Sequence, residues 1–110
     1  MAKNNNQDEK QQIVRGMLQM AVLVELELSR KYGAQLLVLL SKTPFSSKVG
    51  TLYPLLNRME RANLIRSKWE VEESQTPRRY YEMTAQGTAK LQMYRDFLHD
   101  LNKYAKGNTK

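Results

Sequence analysis

The sequence predicts a mainly α protein of the α+β class, with three helices, a two-stranded wing and a long closing helix. Three observations carry that expectation. Apolar residues recur at three- and four-residue intervals in several separate stretches, as a helix requires. "IRSKWEVE" alternates strictly between two faces, as a half-buried strand does. "ESQTP" then reads as a turn before a second strand, "RRYYEM".

In chain order, residues 1–10 are polar, Asn-rich and without periodicity, and are expected to form a disordered tail. From Gln11 to Leu28 the chain is helical, with Ile13, Met17, Ala21, Val24 and Leu28 on one stripe and Val14, Leu18 and Val22 widening it. So broad an apolar surface needs cover from a second subunit or from the rest of its own chain. "SRKYG" interrupts, and "AQLLVLLSKT" gives a second helix, favoured over a buried strand by its length and flanking leucines. Pro44 ends it, and Ser46 or Ser47 is available to cap the next helix.

The third helix runs from about Lys48 to Ala62. Leu52, Leu55, Leu56 and Met59 cluster on one side. The other side carries Gly50, Pro54, Asn57 and Arg61, flanked by Tyr53 and Arg58. A proline costs least in a first turn, so the regular helix is expected to begin near Thr51. On the strand after it, Ile65, Ser67, Trp69 and Val71 share one face, which makes Trp69 a core residue under the hairpin. Tyr80 and Tyr81 point to opposite faces, one buried and one exposed. Thr84 caps the last helix, on which Leu91, Tyr94, Leu98, Leu101 and Ala105 recur, with Met93, Phe97 and Tyr104 beside them.

Three helices and then a hairpin make a winged helix-turn-helix. The expected organisation is a tail (1–10), a winged-helix domain (11–84), a dimerisation helix (85–105) and a frayed end (106–110). A last helix projecting past a three-helix core has little of its own chain to bury its stripe against, which favours a homodimer.

The chain carries a net charge of +7 over 110 residues, and the excess is local. Between Arg30 and Lys68 stand eight basic residues and a single acid, Glu60, while the remaining charges cancel. Charge confined in this way is the footprint of a polyanion, here double-stranded DNA. Glycine lets a backbone approach closely, and the open end of a helix offers amide hydrogens to phosphate. Tyrosine can reach a phosphate or pack on a sugar, and Asn57 can pair with a base edge. Arg78 and Arg79, adjacent after a turn proline, favour phosphate contact over a role as wing-edge charges.

Cysteine is absent and the one histidine, His99, reads as a surface residue of the last helix. No metal site, cofactor or catalytic constellation is expected, and the chain is not read as an enzyme. No signal or membrane span is visible, which leads to a soluble protein of the cytoplasm.

At these residues the sequence resembles the PadR family of bacterial winged-helix transcription regulators. "GTLYPLLNRME", then "LI", Trp69, "PRRYYEMT" and Gly87 stand in that family's order, strongly from Val49 to Leu91. "RGMLQMAVLVEL" and "YGAQL" are weaker matches to its first two helices. The resemblance implies a DNA-binding regulator, by default a repressor, acting as a homodimer on a near-palindromic operator. Carried onto matching positions, it puts Thr51, Tyr53 and Pro54 at the helix–DNA contact and Arg78 and Arg79 at the wing; the helix face and the basic segment add Lys48, Gly50, Asn57, Arg58 and Arg61 to the expected DNA-binding residues. The resemblance also implies that the last helix joins the two subunits with the first helix packed against it. The apolar residues Met17, Leu18, Leu91, Tyr94, Phe97, Leu98, Leu101 and Tyr104 are therefore expected at the dimer interface, where a small aromatic effector would enter. With one C-terminal helix, the chain is expected to be the family's short form. Two departures stand out: "YGAQL" lacks the aromatic often found after the glycine, and Phe97 and Leu98 stand where one drug-sensing branch has a ligand-sandwiching tryptophan. The alternative reading is a winged-helix accessory module that works mainly through protein partners, or in plasmid or phage maintenance.

Overall fold

The computed structural model describes residues 5–71 and 76–107. Its elements, in order, are α1 (Asn5–Leu28), β1 (Lys31–Tyr32), α2 (Gly33–Leu40), α3 (Val49–Arg61), β2 (Ile65–Glu70), β3 (Arg78–Met83) and α4 (Ala85–Ala105). The fold is a winged helix-turn-helix. Most of the "ESQTP" segment, residues 1–4 of the tail expected to be disordered and residues 108–110 of the end expected to fray lie outside the described residues.

α1 starts inside the segment whose composition suggested disorder. Asp8 sits in its first turn, where a carboxylate suits the positive end of the helix dipole, and Glu9, Lys10 and Gln11 are good helix formers. The stripe expected on α1 is corrected as well. Ile13 and Leu28 are exposed, whereas Leu23 and Leu26 are buried beside Leu18, Ala21 and Val22. The chain's own α4, β3 and α2 pack against this helix, and Leu36, Leu40, Leu52, Leu56, Met59, Tyr81 and Leu91 belong to the same core. Each such side chain stabilises the fold by roughly 1.5–3 kcal/mol through burial.

The sheet has three strands, in the order β1-β3-β2, where a two-stranded wing was expected. Lys31 pairs with Tyr81 and Tyr32 with Tyr80. Lys31 is only 6% exposed. Its ammonium donates to the carbonyls of Glu25 (2.7 Å) and Ser29 (3.2 Å) and to the Ser29 hydroxyl (3.1 Å). A helix ends with carbonyls that lack partners and with a negative dipole end, and a buried cation answers both needs of α1.

α3 ends in a left-handed residue, Asn63 at φ 64°. The Leu64 amide reaches back to the Met59 carbonyl (3.0 Å) and the Asn63 amide to that of Glu60 (2.9 Å). This is a Schellman closure, with Leu64 and Met59 both buried. It turns the chain sharply from α3 into β2 and fixes where the wing departs. α4 starts, as expected, at Thr84, whose side chain accepts from the Gly87 amide at 3.0 Å.

Candidate nucleic-acid interface

Leu52, Leu55, Leu56 and Met59 are all buried, so α3 is held by its apolar side. Gly50, Thr51, Pro54, Asn57, Arg58 and Arg61 are exposed, with Lys48 at the helix entry also exposed. α3 begins at Val49 rather than near Thr51, which puts Pro54 in its second turn. The missing proline N–H leaves the Gly50 carbonyl without its helical donor, on the exposed side. Neither Ser46 nor Ser47 is the cap. The N-cap is Lys48, whose side chain makes no capping bond; the Thr51 amide donates to the Lys48 carbonyl at 2.9 Å, and the Val49 and Gly50 amides before it stay open to an anion.

Tyr53 is half-buried and lies across the start of α2. A Cβ built on Gly33 would overlap the Tyr53 ring and come within 2.7 Å of its hydroxyl. Gly33 is thus the hollow into which Tyr53 fits. Tyr53, Gly33, Ala34, Trp69 and Arg79 line a cleft of about 340 Å³ between α2, α3 and the wing. Trp69 is 64% exposed, not a core residue. On the inner face of β2, Ile65 is buried, Ser67 half-buried and Trp69 open, because the strand runs out past the helical layer that covers its start. Tyr81 is the buried tyrosine of the pair, and burial pushes its phenol pKa above the ordinary value.

The basic segment is less free than its charge suggests. Lys31 serves α1. Arg30 pairs with Glu70, which holds that carboxyl below its usual pKa, and Arg66 pairs with Glu82 at 2.7 Å. Arg79 donates to Glu60 (2.6 Å) and to the Ser67 hydroxyl (2.9 Å), an engagement absent from the sequence expectation. Arg78 is exposed, its guanidinium 4.5 Å from the Tyr32 ring centre. Lys42, Lys48, Arg58, Arg61 and Lys68 form no ion pair among the described residues. Arg58 and Arg61 lie on the exposed side of α3 itself and Lys48 at its entry, while Lys68 and Arg78 stand on the wing strands.

On the last helix the structure divides the expected interface. Leu18 and Leu91 are buried inside the single chain, so they are core residues rather than contacts for a partner. Tyr94 accepts from Gln19 at 2.7 Å, and Arg95 grips Glu27 with bonds of 2.9 and 3.0 Å, fastening α4 to α1. Met17 and Leu98 are half-buried. Phe97 (67%), Leu101 (52%) and Tyr104 (70%) stand exposed, with Met93, along one stripe of α4.

Among the described residues, no group of three or more His, Cys, Asp or Glu side chains could hold a metal ion. Nor is any helix among them long and apolar enough to cross a membrane. The arrangement suits a rigid polyanion: an uncapped helix end, an amide and cations on an exposed face.

The model of the transcriptional regulator PadR-like family matches residues 22–93. The fold superimposes on a PadR family transcriptional regulator from Eggerthella lenta with a TM-score of 0.83 and 29% identity, over 97% of this chain and 94% of that one. A PadR-like transcription factor from Bacteroides fragilis gives 0.78 and 26%, over 93% and 99%. Bacillus subtilis PadR, solved in complex with operator DNA, shares the fold at 0.66 and 18%, over 71% of this chain and 45% of that one. No curated protein matches the sequence.

Proposed function

Because the chain belongs to the PadR-like family of transcriptional regulators, whose members are not enzymes, we propose that it represses transcription as a homodimer on a near-palindromic operator. One observation carries this reading: α3 is locked in place by four buried apolar residues while Gly50, Pro54, Asn57, Arg58 and Arg61 face outward. Two copies joined through the exposed stripe of α4 would present two such faces about 34 Å apart, one turn of the duplex. A lone chain would leave Met93, Phe97, Leu101 and Tyr104 in water, and a contiguous apolar patch of that kind marks an association surface. The rings of Phe97 and Tyr104 would flank a small aromatic effector at that junction. The reading sets the protein in the cytoplasm, where the DNA is.

Selection of bound sequences from a random duplex pool tests it. The expected product is a two-fold sequence with half-sites about 10 base pairs apart; a pool that shows no enrichment would overturn the reading. Asn57→Ala is expected to relax the preference at one position of each half-site, costing roughly 1–3 kcal/mol. Tyr53→Ala is expected to weaken binding about tenfold, the loss of one hydrogen bond to a charged group. Gly33→Ala should weaken it similarly without touching DNA, since its methyl would push Tyr53 out of place. Fluorescence anisotropy of a labelled duplex measures all three. Unchanged affinity throughout would remove α3 from the contact.

A further inference from the structure

Glu60 is the only acid between Arg30 and Lys68, and it sits on α3 itself. A carboxylate on a helix that approaches phosphates repels them. Its contacts give it a different purpose. One Glu60 oxygen accepts from the Arg79 guanidinium at 2.6 Å and the other from the Ser67 hydroxyl at 2.6 Å. Arg79 Nε in turn donates to the same Ser67 hydroxyl at 2.9 Å. The ring of three hydrogen bonds is closed, and each member belongs to a different element: α3, β2 and β3. The Arg79 guanidinium also lies 5.4 Å from the ring centre of Tyr81, whose burial ties the arginine to the core.

The side chains of Glu60 and Arg79 remain about a third exposed, and ion pairs so placed add little to stability. What such a ring does impose is direction, because all three bonds hold only at one angle between helix and hairpin. We propose that Glu60 is a positioning residue for operator recognition: it grips Arg79 and Ser67 so that the wing stands at one fixed angle to α3. Helix and wing then meet adjacent stretches of the duplex in a single register. The inference rests on the regulator reading and adds to it that Arg79 serves the DNA through Glu60, not as a loose cation.

The two roles of a charge at this position predict opposite signs. Glu60→Gln removes a repulsive charge, so simple electrostatics raises affinity for every duplex alike. Loss of positioning lowers affinity for the selected duplex about tenfold while an unrelated duplex of equal length binds as before or better. The ratio of the two affinities is the readout. Arg79→Lys keeps the charge but loses the planar fork, and it is expected to lower the ratio in the same way. Parallel rises with Glu60→Gln, or a wild-type ratio with Arg79→Lys, would overturn the proposal.

A second measurement needs no DNA. Trp69, the sole tryptophan, pairs with Arg79 across the strands, so its emission reports on the wing. Glu60→Gln is expected to shift that emission and to speed amide exchange in β2 and β3; neither changing would also overturn it. Should Glu60→Gln fail to fold, Ser67→Ala opens the same ring and carries both comparisons. If the wild-type protein itself favours no duplex, the regulator reading fails, and the emission and exchange results still decide whether Glu60 sets the wing.

Discussion

Gly87→Ala is expected to lower the stability of the protein by about 3 kcal/mol, the upper end of the usual cost of overfilling a packed site. The added methyl would overlap the Leu64 carbonyl oxygen and lie 2.7 Å from Met83 Cγ. Methionine can turn aside, but the carbonyl cannot. Leu64 is held by its own amide on Met59, by its buried side chain, and by the Thr84 amide and hydroxyl, which donate to that same oxygen at 3.1 and 3.0 Å. The first turn of α4 would have to lift away from the end of α3, losing the bond from the Gly87 amide to the Thr84 hydroxyl. Thermal unfolding at matched protein concentration should show a midpoint about 15 °C lower. An unmoved midpoint would mean that this junction is looser than its hydrogen bonds require.

Leu101→Asp is expected to halve the mass of the protein in solution and to cut operator affinity about a hundredfold, since each half-site would then be bound without its tethered neighbour. Leu101 is half open within one chain, so the substitution leaves the folded protomer nearly untouched and places a charge only where a second copy would pack. Leu91→Asp makes the contrast. That residue is buried in its own chain, so the same change there should unfold the protomer rather than separate two. Light scattering with circular dichroism distinguishes the two results. A Leu101→Asp protein that stays dimeric would move the interface off this stripe.

These contrasts bear on what the residues alone disclose. α3 is legible in detail because Leu52, Leu55, Leu56 and Met59 repeat at the helical period, and the period also names the opposite face. The features that escape have physical causes. Alternation on β2 identifies two faces but not how far a neighbouring layer extends, which is why Trp69 reads as a core residue and is not one. A two-residue strand such as Lys31–Tyr32 has no period to detect; the one hint is a lysine just past a long helix, in reach of its last carbonyls. An apolar stripe does not distinguish its own chain from a partner, so Leu18 and Leu91 group with Leu101. The bond between Glu60 and Arg79 spans 19 positions, beyond any local pattern. Local charge sums therefore count Arg30, Lys31 and Arg66 as available when the fold has already engaged them.

The fit of Tyr53 into the space above Gly33 has a consequence for anyone altering what this protein reads. Positions 33 and 53 form one unit, the first buried and the second half-buried over it. A bulkier residue at 33 becomes tolerable when 53 is made small, and a library that varies position 53 alone would discard those pairs. Variants that retarget binding through position 53 should therefore be sought with both sites randomised together.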